Sequence, residues 1–198
     1  MAMTDTTHYH LFDTVFGRCG VAWNDRGLVG VQLPEKDSTA SERRLAAKSG
    51  GTPDEPPAWV AALIENIRKY CAGEKIDFSA IAVDLGAMDD FRQRLYTALR
   101  EVAFGHTVTY GELAKRLDLP GWEGARDVGE AMGRNPMPIV IPCHRVLAAG
   151  NKPGGFSAYG GTTTKKKLLA LEGVDLDKPE KSTKPGKAKE ETPRLPGL

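Results

Sequence analysis

The chain has 198 residues, with 27 Lys or Arg against 26 Asp or Glu and a formal charge of +1, so its net charge makes no case for a nucleic-acid partner and any basic surface must be local. At 40% hydrophobic and 27% charged it is ordinary for a soluble globular protein with a real core, and no run reaches the ~18 apolar residues of a membrane span. The opening "MAMTDTTHYHLFD" lacks the basic start and apolar stretch of a secretory leader. Three cysteines, Cys19, Cys71 and Cys143, odd in number and far apart, argue for a reducing cytoplasm over a disulfide framework.

Residues 9–33 read as an antiparallel meander, with "YHLFDTVF", "RCGVAW" and "LVGVQL" as strands and a turn at residues 24–27. Residues 35–57 are charged, small and Pro-rich: a loop with a short helix near residues 43–48. Trp59, Leu63, Ile64, Ile67 and Cys71 recur at helical spacing before Gly73. "IDFSAIAVDL" reads as a strand. Asp89 or Asp90 caps a helix whose apolar face is Phe91, Leu95, Leu99 and Val102.

"YGELAKRL" and "GARDVGEAMG", separated by "DLPGWE", form a helix-turn-helix pattern. An apolar strand at residues 139–141 then runs into Pro142, Cys143 and His144. A Gly-rich loop, "GNKPGGFSAYGG", leads to a last helix over residues 163–172, stopped by Gly173. Residues 176–198 hold six Lys or Arg, four Asp or Glu and four Pro. That is too little apolar surface to offset ordering entropy, so the tail is expected to be disordered.

A thiol attacks as thiolate, and a nearby imidazole promotes its ionisation. Adjacent residues on a strand point to opposite faces. Cys143 and His144 therefore cooperate only if the chain turns at residues 142–143 or if a water links them. Taken alone, a Cys-His dipeptide reads as a buried cysteine beside a surface histidine.

The surrounding run, "RNPMPIVIPCHRV", resembles the active-site signature of the O6-alkylguanine-DNA alkyltransferases. Their Pro-Cys-His-Arg core is here Pro142-Cys143-His144-Arg145, preceded by Asn135-Pro136 and Ile139-Val140-Ile141. The resemblance extends upstream through "DFRQRLYTALREVAFGHTVTYGELAKRL" and "ARDVGEAMGRNP", and downstream through the Gly-rich loop and "KKKLLALEG". It covers residues 88–174, and the first 85 match only in style. The implied fold is α+β: a small N-terminal α/β domain with a mostly antiparallel sheet and a structural role (1–85), then a mostly helical, winged-helix-like catalytic and DNA-binding domain (86–175).

The resemblance implies direct-reversal repair of O6-alkylguanine, with O4-alkylthymine as an extension, in one irreversible turnover. Cys143 accepts the alkyl group from a base flipped out of the duplex. His144 is the base, acting through a water, and Glu172 orients it. Tyr110 donates a hydrogen bond to the departing guanine, and Asn135 braces the active-site turn. Arg126 fills the gap left by the flipped nucleotide, on a helix that enters the minor groove and whose Gly124, Ala125, Gly129 and Ala131 permit close approach. Arg134 and Arg145 are further DNA-contacting cations. The loop residues Phe156, Ser157, Tyr159 and Gly160 cover the pocket.

Three features depart from the family pattern. Asp127 and Glu130 put negative charge on the DNA-facing helix, where Glu130 can pair with Arg126 at i,i+4. "PGWEGAR" lengthens the turn by Trp122 and Glu123. The longer "GGFSAYGG" leaves open whether Phe156-Ser157 or Ala158-Tyr159 walls the pocket. No cofactor is implied, and His8, His10, Cys19 and Cys71 have no tight zinc spacing. The expected partner is double-stranded DNA bound by a monomer, with no membrane. The alternatives are a lesion-binding alkyltransferase-like module or a relative with weakened duplex repair, and a thiol hydrolase. The first lacks the nucleophilic cysteine, and the last leaves the helix-turn-helix without a purpose.

Overall fold

The computed structural model describes residues 6–119 and 121–176; the expectation of a disordered tail over residues 176–198 falls, but for Leu176, outside them. The N-terminal part is a sheet of four strands, β1 (His8–Thr14), β2 (Gly17–Asn24), β3 (Gly27–Gln32) and β4 (Thr52–Pro53), in the order β3-β2-β1-β4. The first three pair antiparallel, while the two-residue β4 lies parallel to β1. The Asn24 side-chain oxygen closes the β2–β3 turn by accepting from the N–H groups of Arg26 and Gly27 at 2.9 and 3.1 Å, the local bonding that suits Asn to turns. Helix α1 (Ser38–Ser49), capped by Asp37, and helix α2 (Ala58–Cys71) pack on this sheet. The apolar stripe of α2 is buried through Leu63, Ile64, Ile67 and Cys71, while Trp59, expected on the same stripe, is exposed.

The segment read as a strand at "IDFSAIAVDL" is mostly irregular, with a turn at residues 79–80. Only Val83 forms a bridge, to Leu28. Side chains far along the chain impose the shape: the Arg100 guanidinium donates to the carbonyls of Phe78, Ser79 and Ile81 at 3.2, 2.8 and 2.6 Å.

The second part is mostly helical. Helix α3 (Asp90–Arg100) starts at Asp89, whose carboxylate accepts from the Arg92 N–H at 2.9 Å. A two-stranded parallel ladder joins β5 (Val108–Thr109) to β6 (Val146–Leu147). Thr109 and Glu112 make a reciprocal capping box that starts α4 (Tyr110–Arg116). Helix α5 (Gly121–Gly133) follows and α6 (Thr162–Leu171) ends the fold. Because α5 begins at Gly121, Trp122 and Glu123 extend the helix and not the turn before it. One apolar cluster spans both parts, including Val21 and Leu63 with Leu95, Leu113, Val128 and Ile141. The architecture is α+β, an N-terminal sheet unit beside a helical unit.

Candidate active site

Residues 137–141 are turns and not the expected strand. The apolar run reflects burial on every side, with no alternation to specify a strand. Asn135 holds the turns together: its Nδ2 donates to the Ile141 carbonyl at 2.8 Å and its Oδ1 accepts from the Met137 N–H at 3.0 Å. Ile139 sits at a positive φ of 75°, a conformation that costs a β-branched residue energy and that this bracing offsets. The Val31 N–H of β3 binds the Pro136 carbonyl at 2.9 Å and ties the turns to the sheet.

The chain then bends into a 3₁₀ turn over Cys143–Arg145. Strand alternation therefore does not separate Cys143 from His144. Both are buried, as are Arg145 and Glu172. His144 Nε2 lies 2.8 Å from Glu172 Oε1. Arg145 donates Nε to Oε2 and Nη2 to Oε1, each at 2.9 Å, and the Gly105 N–H reaches Oε2 at 3.0 Å. Burial by itself raises the Glu172 carboxyl, but the bonds from His144 and Arg145 outweigh it and hold the group well below the ordinary carboxylate range.

With Glu172 ionised, His144 Nε2 must carry the hydrogen it donates, which leaves Nδ1 as the acceptor. Nδ1 is buried with no protein partner among the described residues. Burial lowers the His144 pKa, against the pull of Glu172, so the imidazole is a neutral base near pH 7. Burial likewise pushes the Cys143 thiol up, opposed by an Asn135 hydrogen bond and the Lys165 charge. The sulfur is therefore not held ionised at rest, and its thiolate must form as a proton leaves.

Lys165 was missed in the sequence. It is fully buried, donates to the Val146 carbonyl and lies 5.7 Å from the centre of the Tyr110 ring. Burial lowers its pKa to about 8, against the pull of Cys143. In "TTTKKKLLALEG" it looks like one solvated lysine of three. Its spacing to Leu168, Leu169 and Glu172, at i+3, i+4 and i+7, was the available signal, since these share one helix face.

A cavity of about 550 Å³ reaches Cys143 from the helix-turn-helix side, between Tyr110, Arg126 and Gly129 on one wall and Gly155, Phe156 and Ser157 on the other. That volume is within the usual ~300–1,000 Å³ range of ligand pockets. Phe156-Ser157 thus supplies the loop wall. Tyr159 and Gly160, expected there, are not among its lining residues. Tyr159 is exposed, its carbonyl accepts from Thr164 at 2.6 Å, and Gly160 turns the chain into α6 at φ 82°. Gly154 is close enough that a Cβ there would lie 3.2 Å from the Tyr110 hydroxyl, so the loop backbone can approach that group only without a side chain.

Several cations and small residues differ from expectation. Arg145, expected to contact DNA, is buried: Glu172 and the Val102 carbonyl hold it inside. Gly124 and Ala131 are buried, and a Cβ on Gly124 would collide with the Leu119 carbonyl, so the small residue serves the α4–α5 packing. Ala125 is half-buried and Gly129 lines the cavity. Arg126 is exposed, with its guanidinium 5.2 Å from the centre of the Trp122 ring. Glu130 pairs at 2.7 Å with Arg134 and not with Arg126, because an acid stabilises a helix pair best when it is N-terminal to its cation. His8 and His10 both reach Asp54, through its carboxylate and its carbonyl at 3.0 and 3.2 Å.

A buried thiol thus shares a turn with a histidine bonded to a carboxylate, and lines a cavity that opens beside two consecutive helices, α4 and α5. Residues 7–85 match the 6-O-methylguanine DNA methyltransferase ribonuclease-like domain, and residues 90–174 match the DNA binding domain of the same family. A methylated-DNA–protein-cysteine methyltransferase from Methanothermobacter thermautotrophicus is 32% identical over 80% of this chain and 81% of its own. A mouse protein of the same name is 35% identical over 90% and 87%. The crystal structure of Mycobacterium tuberculosis OGT in complex with DNA superposes with a TM-score of 0.68 at 36% identity, covering 83% of this chain and 92% of that one. The chain belongs to the 6-O-methylguanine DNA methyltransferase family, and its activity is DNA repair by alkyl transfer to a cysteine.

Proposed function

We propose that Cys143 is the alkyl acceptor and that the lesion is an O6-alkylguanine, with O4-alkylthymine as a second substrate, turned out of duplex DNA into the cavity above the thiol. The single observation that carries this reading is the placement of Cys143 at the foot of a cavity whose other walls are Tyr110, Arg126 and the 155–157 loop. Sulfur attacks the alkyl carbon, the carbon–O6 bond breaks, and its electron pair returns to the guanine. The thiol proton passes through a water to His144 Nδ1, while Glu172 holds Nε2–H. Tyr110 donates toward the leaving base, and the Lys165 ammonium lowers the cost of the thiolate. The thioether has no group to cleave it, so each molecule reacts once.

DNA binds along the exposed face of α5, through its minor groove, with Arg126 entering the stack and Arg134 meeting phosphate. The protein acts as a monomer in the cytoplasm, which its three free thiols suit. The domains are residues 1–85 and 86–175. The exposed acids Glu123, Asp127 and Glu130 favour a second reading in which duplex repair is weakened.

The test compares two donors, O6-methylguanine in a duplex and free O6-benzylguanine. Arg126→Ala should slow the duplex reaction at least tenfold, about the worth of one inserted or charge-assisted contact, and slow the free-base reaction far less. Equal slowing on both donors, relative to the parent, would sink the assigned DNA face. Glu130→Gln removes one negative charge and frees Arg134. Duplex binding should tighten a few-fold at low salt, with the salt slope steeper by about one phosphate contact, measured by fluorescence anisotropy.

A further inference from the structure

The N-terminal part places one polar group inside the relay. Tyr70, on the last turn of α2, is fully buried. Its hydroxyl donates to Glu172 Oε1 at 2.8 Å and lies 3.2 Å from His144 Nε2. Phe78 and Phe104 meet its ring edge-on, with centroids 5.8 and 6.2 Å away.

We propose that Tyr70 is a positioning residue of the alkyl-transfer site, through which the N-terminal unit sets the basicity of His144. This rests on His144 being the base. Oε1 of Glu172 accepts from three donors, Tyr70 Oη, His144 Nε2 and Arg145 Nη2. Each donor draws negative charge away from the oxygen that faces the imidazole. The Tyr70 bond therefore tempers the pull of Glu172 on Nε2–H and keeps His144 neutral, with Nδ1 free to take the thiol proton. The phenol itself stays protonated: burial, then the Glu172 charge, push its pKa far up. Other groups near the imidazole are Arg145 and Cys143 on its own turn and Lys165 on α6; Cys71 lies beside Tyr70 on α2. None of them donates to Glu172 except Arg145.

The sign follows from the bond removed. Tyr70→Phe keeps the ring and deletes one donor, so charge on Oε1 rises, imidazolium is favoured, and the His144 pKa moves up. The transfer rate needs neutral His144, so the acid limb of the rate–pH profile should move up by about one pH unit, the worth of one hydrogen bond to a charged group. Well below both limbs the variant should be about tenfold slower, and on the plateau within about twofold of the parent.

The experiment measures single-turnover alkylation of the full chain against pH for the parent, Tyr70→Phe, Phe78→Leu and His144→Gln. Phe78→Leu loosens the same ring packing without touching the hydroxyl, so it should lower Tm and leave the acid limb in place. An unmoved limb in Tyr70→Phe, or a loss equal at every pH, overturns the proposal. If His144→Gln keeps the parent's rate and limb, the relay assignment itself is wrong. If His144→Gln is slow and Tyr70→Phe matches the parent, only the role of Tyr70 fails.

Discussion

Cys143→Ala is expected to end alkyl transfer completely, with no gain of a methylene in intact mass after incubation with an O6-methylguanine duplex. The parent should gain one methylene and then stop. Thiol acidity does not single out Cys143, because burial raises all three cysteines. Cys19 is driven to about 12, chiefly by desolvation, against a Thr14 hydrogen bond, and Cys71 to about 11 for the same leading reason. What separates Cys143 is its surroundings. It alone of the three lines the cavity on the helix-turn-helix side, and it opens the 3₁₀ turn that carries His144. A thiol raised by burial reacts when its proton has an acceptor and its sulfur has room for an electrophile. A mass gain that survives in Cys143→Ala and maps to Cys19 or Cys71 would reject the assignment.

Glu172→Gln should damage both rate and stability. An amide in place of the carboxylate can donate to His144 Nε2. That drives the imidazole hydrogen to Nδ1, the nitrogen that must receive the thiol proton. A loss on the order of 10²–10⁴-fold is expected, the range for removing a working general base. The Arg145 guanidinium, buried beside Glu172, also loses its counter-charge, and breaking a buried pair in this way costs ~3–5 kcal/mol, readable as a fall in Tm or urea midpoint. The pH dependence has a definite sign. The Glu172 pKa is depressed in the fold, so its stabilisation is present above the unfolded carboxyl pKa and is lost only as pH falls through the much lower folded value. The parent should therefore keep this contribution across the neutral and mildly acidic range, while the variant lacks it throughout. An unchanged Tm and rate at pH 7 would mean that Glu172 neither orients His144 nor holds Arg145.

The sequence by itself determined the local parts. The Asn24 turn, the Asp89 cap and the stripe of α2 each depend on neighbours within about one or two turns, where backbone bonding and periodicity act directly. The family was legible too, through the collinear pattern around Pro142-Cys143-His144-Arg145. Only the tertiary structure decided which charges face out: Arg126 and Arg134 are exposed, while Arg145 and Lys165 lie inside. It also decided that residues 137–141 coil, that Phe156-Ser157 and not Ala158-Tyr159 walls the cavity, and that Tyr70 joins a carboxylate 102 residues further along the chain. Those outcomes depend on which elements pack together, and a buried polar side chain takes whichever partner that packing brings within reach, because leaving it unpaired costs more than any local preference.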